Sequence, residues 1–499
     1  MAAIDLLAQG FAIATEPHNL LFALIGSIIG TMIGILPGIG PVAGTALLLP
    51  VTFSMEATPA IIMLTSIYYG AMYGGTLTSV LVNVPGEAAS AITCLDGYQM
   101  AKRGRAGSAL AVAAVGSFIG GIVAICGLIV LAEPLTRLAL LFGPPEFFAL
   151  MLVGLSLVAG LAGRSIALAL ISAVVGLLIA MVGIDPVMGA PRFTFGSLNL
   201  MGGVDVVVVA MGMFGVGEIL IALEREGRTA ALGARLSEMM PTRDEMRRSV
   251  GPIMRGTGIG FALGLIPGMG AVVPTVMSYI AEKRLSKTPE KFGTGMIEGV
   301  AGPETANNAY ANAALIPLLT LGIPGSPTVA VIMGAFMMKG IIPGPFLFKD
   351  HPDVVWGVIA SFVVGNVMLL ILNLPLIPLW VKLLRIPRAT LFTLILGFCV
   401  VGAYSINGQV FDVGVMCAFG VLGYAFRKLD IPLAPLILTL ILGPLMEQSL
   451  RQSLEISRGD FTIFFTRPIS LVLVTLAAAI VVTSSLRIVS TVRGRDSEV

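Results

Sequence analysis

The sequence predicts an all-α polytopic membrane protein, and three observations lead to that fold class. First, 56% of the 499 residues are hydrophobic and only 12% are charged, whereas soluble domains contain about 25% charged residues. Second, the apolar runs are long enough for about 10–14 transmembrane segments of roughly 20 residues each. Third, Pro-Gly pairs interrupt those runs at matched positions in two halves of the chain.

Two motifs carry the duplication. GILPGIGPV, which contains Pro37, returns in the second half as GLIPGMGAV, which contains Pro267. VNVPGEAASAI, which contains Pro85, is matched in the second half by LGIPGSPTVAV, which contains Pro324. We call these Pro-Gly motifs the first and second landmarks of each half. Because the two copies of each landmark are separated by nearly the same number of residues, they indicate an internal repeat.

Each landmark predicts a broken helix, because proline removes a backbone donor and glycine permits left-handed angles. In lipid, irregular backbone survives only where protein or a water-filled cavity receives its polar groups, and paired breaks in two halves point to a transporter's substrate site. The alternative is a packing kink or a glycine-mediated helix contact. The predicted substrate-binding residues are Pro37, Gly38, Gly40, Asn83, Pro85, Gly86, Pro267, Gly268, Gly270, Asn307, Asn308, Pro324, Gly325 and Ser326.

Basic residues predict that the two repeats are inverted. Lys102 is the first Lys or Arg in the chain, so the loop after the first VPGE motif is assigned to the cytoplasm. Counting spans back from the basic carboxyl tail assigns the loop after the second motif, FKDHPD, to the outside. By the same charge rule, residues 251–280 would start and end inside and their counterpart, residues 20–53, outside, which predicts two opposed re-entrant hairpins.

The same reasoning divides the chain into four parts. Residues 1–223 form the first membrane repeat, 224–250 a cytoplasmic amphipathic linker, and 251–446 the second membrane repeat. Residues 447–499 form an outer loop, a final transmembrane helix and a cytoplasmic tail. The amino-terminal segment lacks the basic region of a cleavable signal, so we expect it to be retained.

Polar residues near the landmarks are candidates for ion coupling, since hydroxyls, amides and unwound carbonyls can bind Na⁺. Hydrogen bonding between packed helices is the alternative. Glu304 is the strongest candidate, because placing an acid in an apolar membrane segment costs free energy and usually serves a function. It could instead cap the helix that starts in GPETANNA. The predicted coupling residues are Thr76, Ser79, Glu87, Glu304, Asn312 and Thr328.

Several functional classes are disfavoured. A net charge of +2 gives no basic surface for nucleic acid, and the four isolated cysteines indicate neither disulfides nor a zinc site. No P-loop, HExxH or GxSxG motif occurs, so we predict neither an enzyme nor any cofactor besides Na⁺ as a candidate coupling ion. The two histidines, His18 and His351, fall in predicted outer loops, which disfavours a histidine proton relay within the membrane.

The motifs GILPGIGPV, YGAMYGGTLTSVLVNVPGEAAS, GLIPGMGAV and GPETANNAYANAALIPLLTLGIPGSPTVAV resemble those of the large membrane subunit of bacterial tripartite tricarboxylate transporters, the TctA family. The likeness covers nearly the whole chain. It implies a multi-pass permease of the bacterial inner membrane, with a small TctB-like membrane subunit and a periplasmic TctC-like solute-binding protein as partners. It also implies uptake of a small carboxylate, of the tricarboxylate or dicarboxylate class, driven by Na⁺ or H⁺.

Three functions remain open on the sequence. A secondary carboxylate transporter is favoured, in which the hairpins and broken helices move by an elevator shift or by rocking. A channel for small anions would also use broken helices but would conduct without a gradient or a binding protein. A membrane enzyme would need a catalytic constellation, and none with a recognisable spacing occurs.

Overall fold

A computed structural model describes residues 3–36, 40–139, 141–160, 166–185, 189–224, 240–267, 269–377, 379–380 and 388–481. Most of this part of the chain is helical. Its only β-structure is an antiparallel pair of two-residue strands, β1 (Gly183–Ile184) and β2 (Pro191–Arg192). The predicted all-α class is confirmed.

The first half contains ten α-helices within the described residues. They are α1 (Ala3–Ala14), α2 (Pro17–Ile35), α3 (Gly40–Leu48), α4 (Ala57–Val82), α5 (Thr93–Lys102), α6 (Ala106–Ala139), α7 (Pro144–Gly160), α8 (Ile166–Ala180), α9 (Val206–Ala210) and α10 (Gly217–Glu224). A π-helical segment, Met211–Val216, joins α9 to α10. The 3₁₀ turns of this half are Leu49–Thr52, Ala88–Ala91 and Leu198–Leu200.

The second half follows a similar order. Its helices are α11 (Arg243–Gly264), α12 (Val272–Leu285), α13 (Glu298–Ala313), α14 (Leu315–Leu321), α15 (Pro327–Met338), α16 (Leu347–Asp350), α17 (Pro352–Asn373), α18 (Arg388–Asn407), α19 (Val410–Lys428), α20 (Ala434–Ile456), α21 (Ile463–Thr466) and α22 (Pro468–Val481). A 3₁₀ turn, Pro289–Lys291, precedes α13.

Four helices of the described chain are long and apolar enough to cross a membrane: α2, the segment Ala106–Ala132 of α6, α17 and α19. The described chain also has shorter apolar helices, as expected where Pro-Gly breaks divide apolar runs. On α8, Leu170, Val174 and Leu178 lie one turn apart and are each at least 50% exposed. Such apolar stripes are suited to lipid contact, so the chain is an all-α polytopic membrane protein.

The first landmark of each half forms a helical hairpin. In the second half, Arg255 of α11 donates from Nε and Nη2 to the Glu282 carboxylate of α12 at 2.7 and 2.6 Å, which pairs residues nearly equidistant from the break. In the first half, Gly44 of α3 packs back against Ile33 of α2. The two arms of each hairpin are therefore antiparallel.

The breaks adopt matching backbone conformations in the two halves. Gly40 and Gly270 follow the hairpin breaks with φ of 65° and 68°. Asn83 ends α4 and Gly322 ends α14, with φ of 58° and 72°. Left-handed residues of this kind end helices because the chain can then turn away from the helix axis. The predicted broken helices are present at the positions described.

Glycines also match between the halves. On α2, a β-carbon at any of three glycines would collide with the backbone of α4, and three glycines at the equivalent positions of α11 pack against α13 in the same way. Close backbone approach through small residues is typical of membrane helix pairs. The glycines are Gly26, Gly30 and Gly34 on α2, and Gly256, Gly260 and Gly264 on α11.

The two halves share one core. Its largest fully buried side chains include Tyr68 of α4, Tyr310 of α13, Phe336 of α15 and Phe362 of α17.

Asp96 of α5 forms a second contact between the two halves. Its carboxylate accepts hydrogen bonds from the backbone N–H groups of three residues and from a hydroxyl, at 2.7–3.0 Å. The donors are Gly293, Gly295, Met296 and Tyr279. The start of α13 is thereby fixed against the first half.

The inverted orientation of the repeats and the side of the membrane assigned to each loop stay predictions. The predicted linker, 224–250, falls largely on residues 225–239, which lie outside the described residues. At its end, α11 already begins at Arg243, where the Thr242 side chain and the Glu245 carboxylate form a capping box.

Candidate functional site

One cavity of about 410 Å³ receives residues from all four breaks. The hairpin tips contribute residues 40–42 and 270–272, and the second landmarks contribute residues 85–89 and 326–328. Side chains from elsewhere complete the wall: Tyr68, Met72, Phe214, Tyr310 and Arg427. Segments that are far apart in the sequence therefore meet at one site.

Three helices of the described chain begin at this cavity. α3 begins at Gly40, α12 at Val272 and α15 at Pro327, and each of these residues lines the wall. The first turn of a helix carries unpaired N–H groups and a partial positive charge. The hydroxyl of Ser326 occupies one such position on α15, where it accepts a hydrogen bond from the Val329 N–H at 3.2 Å. The site is thus suited to an anion.

Among the described residues, the cavity wall contains one cationic side chain, Arg427, and one carboxylate, Glu87. Arg427 lies in the last turn of α19, outside the duplicated landmarks. Arg427 was not among the site residues predicted from the sequence. A basic residue at the end of an amphipathic helix is an ordinary membrane-boundary signal, so no sequence pattern pointed from Arg427 to the site.

Glu87 is held by the second half of the chain. It is only 8% exposed, and its Oε1 accepts a hydrogen bond from Asn307 Nδ2 of α13 at 2.7 Å. Asn307 was predicted to bind substrate. It lies behind Glu87 instead of on the cavity wall, so it orients the carboxylate that does line the cavity.

Glu304 lies one turn before Asn307 on α13 and is 1% exposed. Thr76 of α4 donates to its Oε2 at 2.5 Å, and Thr93 of α5 donates to its Oε1. α13 begins at Glu298, so the interpretation of Glu304 as a helix cap is wrong. The carboxylate is buried within the helix, its role as a coupling residue stays a prediction, and Thr93 is a partner that the sequence did not reveal.

The remaining polar residues continue this network. Asn308 Nδ2 donates to Ser117 Oγ at 2.7 Å and to the Glu304 carbonyl at 3.2 Å, while Asn312 Nδ2 donates to the Asn308 carbonyl at 2.9 Å. Ser79 donates to the Gly75 carbonyl at 3.0 Å. Asn308 therefore links α13 to α6, as expected if the polar residues serve hydrogen bonding between packed helices. The side-chain oxygens of Asn307 and Asn312 accept no hydrogen bond from any described residue.

The predicted residues separate into three groups. Seven line the cavity: Gly40, Pro85, Gly86, Glu87, Gly270, Ser326 and Thr328. Three lie outside the described residues: Pro37, Gly38 and Gly268. The others do not line the cavity: Thr76, Ser79, Asn83, Pro267, Glu304, Asn307, Asn308, Asn312, Pro324 and Gly325.

Asn83 and Gly325 show why residues beside a break need not reach the cavity. Asn83 is exposed and ends α4 with a left-handed backbone, so its position is set by the helix end. Gly325 is buried, and its carbonyl accepts a hydrogen bond from the Tyr310 hydroxyl at 3.0 Å. Gly325 therefore holds a cavity-lining tyrosine in place.

Comparison with known proteins agrees with this architecture. The chain is 48% identical over 482 residues, which cover 97% of this chain and 96% of the relative, to an uncharacterized 52.8 kDa protein of Agrobacterium vitis in the TAR-I ttuC′ 3′ region. It is 49% identical over 240 residues, 48% of this chain and 98% of the relative, to an uncharacterized protein in the TAR-II ttuC′ 3′ region of the same organism. No solved structure matches. Residues 20–438 match the profile of the tripartite tricarboxylate transporter TctA family, and the chain belongs to that family.

Proposed function

We propose that this chain is the large permease subunit of a binding-protein-dependent secondary transporter that imports a small carboxylate across the bacterial inner membrane. The observation that carries the proposal is the cavity of about 410 Å³ lined by all four breaks. Its volume suits a small organic acid, since ligand pockets of about 300–1,000 Å³ hold drug-sized molecules.

The charges of the cavity favour a carboxylate. Three helix N-termini give partial positive charge, and Arg427 supplies a full one. A guanidinium binds a carboxylate through two parallel N–H···O contacts, which fixes its orientation as well as its charge. A second carboxylate of a dicarboxylate or tricarboxylate would then face the helix N-termini at residues 40 and 272.

We propose that the buried network around Glu304 binds the coupling ion, Na⁺ or H⁺. Glu304, Thr76 and Thr93 place hydroxyl and carboxylate oxygens together, and the side-chain oxygens of Asn307 and Asn312 accept nothing from the described residues. Oxygen atoms of these kinds are the ligands of hard cations. Asn307 also donates a hydrogen bond to Glu87, so an ion bound at the Asn307 oxygen would influence the carboxylate that lines the cavity.

Partners follow from the family and complete the proposal. A small TctB-like membrane subunit and a periplasmic TctC-like solute-binding protein would act with this chain, the latter delivering the substrate. The matched hairpins, helix ends and glycine positions support two repeats around the cavity, and the proposed inversion rests on the positions of the basic residues. The mobile part would comprise the two hairpins with α4, α5 and α13–α15.

The test is uptake of labelled citrate or succinate into liposomes that contain the purified permease complex, with its binding protein outside. We expect accumulation only with the binding protein and with an inward Na⁺ or proton gradient. Dissipating both gradients with ionophores should stop accumulation. Equal flux without binding protein or gradient would instead support the alternative of an anion channel.

A further inference from the structure

A second cavity, of about 500 Å³, lies at the base of the second hairpin and away from the proposed substrate site. Its wall is formed by the first turns of α11, the end of α12 and the turn that leads to α13. The residues are Arg248, Pro252, Arg255, Glu282, Leu285, Ser286, Lys287, Thr288, Lys291, Met296 and Glu298. None of them belongs to the four Pro-Gly breaks.

This cavity carries an excess of positive charge. Arg248 donates to the Glu298 carboxylate at 2.7 and 2.9 Å, and Arg255 is paired with Glu282 in the same bidentate way. These pairs fix two guanidinium planes at the wall while leaving the arginine side chains 41% and 44% exposed. Lys287 and Lys291, which follow α12, have no carboxylate partner among the described residues. The wall therefore holds four cations and two carboxylates, and outside the wall Asp244 also pairs with Arg248 at 3.7 Å.

The level of the cavity relative to a bilayer can be read from the exposed faces of the hairpin. On α11 the exposed residues change from Arg247 and Arg248 to Val250 and Met254, and the last exposed charge is Arg255, which pairs with Glu282. On α12 the exposed face is apolar through Ile280 and becomes basic at Lys283 and Arg284. Both helices therefore pass from apolar to charged surface at the level of the cavity, as expected at the headgroup region.

We propose that this cavity binds the phosphate of an anionic phospholipid, whose acyl chains lie along the exposed apolar face of the hairpin. Lys287 and Lys291 would neutralise the phosphate, and the hydroxyls of Ser286 and Thr288 can donate hydrogen bonds to it. Exposed Val250, Met254 and Ile280 supply the apolar path beside it. Basic pockets between membrane helices at headgroup level are suited to such lipids.

The lipid would stabilise the base of a hairpin whose tip lines the substrate cavity. Arg255 and Glu282 join the two arms at the same level as the phosphate. A bound headgroup would therefore fix the hairpin base against the membrane while its tip at residues 270–272 contacts the transported molecule.

The experiment compares lipid binding by the full-length purified protein and two variants in delipidating detergent, using native mass spectrometry with phosphatidylglycerol or phosphatidylcholine. The test variant is Lys287→Gln/Lys291→Gln. The matched control is Lys283→Gln/Arg284→Gln, which removes the same charge from exposed positions that do not line the cavity. Thermal unfolding of each protein checks that all three are folded.

We expect the unmodified protein to prefer phosphatidylglycerol, and the test variant to bind it about tenfold more weakly. The control should change the affinity by no more than about twofold, because exposed charges away from the phosphate contribute little. Equal losses in both variants, or no preference for the anionic lipid, would overturn the proposal. Displacement of phosphatidylglycerol by millimolar inorganic phosphate alone would assign the site to free phosphate instead.

Discussion

Arg427 and Glu87 are the cation and the carboxylate that the described residues give the proposed substrate cavity, and they come from different parts of the chain. Glu87 belongs to the second landmark of the first half and is held by Asn307 of the second half. Arg427 belongs to α19, which carries no landmark. A substrate bound between them would contact both the broken helices and α19.

Replacing Arg427 tests this position. We expect Arg427→Gln to weaken carboxylate binding about 10- to 100-fold, since a hydrogen bond to a charged group contributes about 1.5–3 kcal/mol. Isothermal titration of the purified protein measures the affinity. Lys428→Gln is the control, because Lys428 pairs with Glu224 at the surface instead of lining the cavity. Unchanged affinity in Arg427→Gln would show that the cation is not a ligand.

Glu304 is the residue at which coupling can be tested. Glu304→Gln keeps the size of the side chain but places an amide against one of the two threonine hydroxyls, so we expect driven uptake to fail while carboxylate binding persists. Loss of one charge-assisted contact corresponds to about 10- to 100-fold in ion affinity. Gradient-driven uptake and equilibrium binding are measured on the same preparation. Glu298→Gln, on the same helix but paired with Arg248, should retain driven uptake.

At the residue scale, sequence reasoning located the region of the site better than its individual contacts. It selected Gly40, Pro85 and Gly270, which line the cavity, because a break forces the backbone toward polar surroundings, and their binding of substrate stays a prediction. It could not distinguish Asn83, which ends a helix, from the residues that face the cavity, because all of them lie in the same Pro-Gly motif. It could not find Thr93 or Arg427, since their contacts depend on how distant helices pack.

Helices of this protein are positioned by glycines whose spacing is visible in the sequence. The glycine triplets of α2 and α11 occupy equivalent positions in the two halves and contact α4 and α13 in the same manner. Their role in packing was not predicted, because a glycine in an apolar run indicates close approach without naming the partner helix. The breaks were predictable because proline and glycine act on their own backbone.

Two glycines of α11 provide a matched test of this packing. A β-carbon at Gly260 would collide with the Ala306 carbonyl, whereas one at Gly258 meets no atom within 4 Å. We expect Gly260→Ala to destabilise the protein by about 1–3 kcal/mol through overpacking. Gly258→Ala should be neutral or stabilising by up to about 1 kcal/mol, because alanine is the better helix former. Thermal unfolding in detergent measures both, and equal effects would contradict the assigned helix contact.

The polar carboxyl-terminal half of α20 is held by charged side chains. Arg192 donates to Glu447 at 2.8 Å, and this contact holds the pKa of Glu447 below its ordinary value. Because the folded pKa is depressed, the contact stabilises the protein above the unfolded pKa of about 4.3 and is lost as pH falls through the folded value.

Glu447→Gln should therefore lower the melting temperature at pH 7, corresponding to about 1 kcal/mol or less for a part-exposed pair. The difference from the unmodified protein should disappear only below about pH 4.3. Melting curves across this pH range provide the measurement. Glu455→Gln, at an exposed position of the same helix, should have no effect at either pH. A difference that persists unchanged in acid would contradict the assigned ion pair.

In the whole molecule, duplication brings equivalent breaks of the two halves to one place. The tips at residues 40–42 and 270–272 line the cavity together with residues 85–89 and 326–328. The sequence predicted this convergence from paired interruptions, since irregular backbone needs a polar environment within lipid. It could not predict the contribution of α19 or the basic cavity at the base of the second hairpin, because both arise from packing between segments without a shared motif.

The most direct measurement is protection of cysteines by substrate. One cysteine is placed at each break in a background lacking Cys94, Cys126, Cys399 and Cys417, and alkylation by a hydrophilic maleimide is timed with and without citrate or succinate. The four variants are Val42→Cys, Ala88→Cys, Ala271→Cys and Thr328→Cys, and the control is Leu198→Cys at an exposed site. We predict that one carboxylate slows labelling at all four breaks and leaves the control unchanged. Protection at a single break, or at none while the protein still transports that carboxylate, would contradict a shared site.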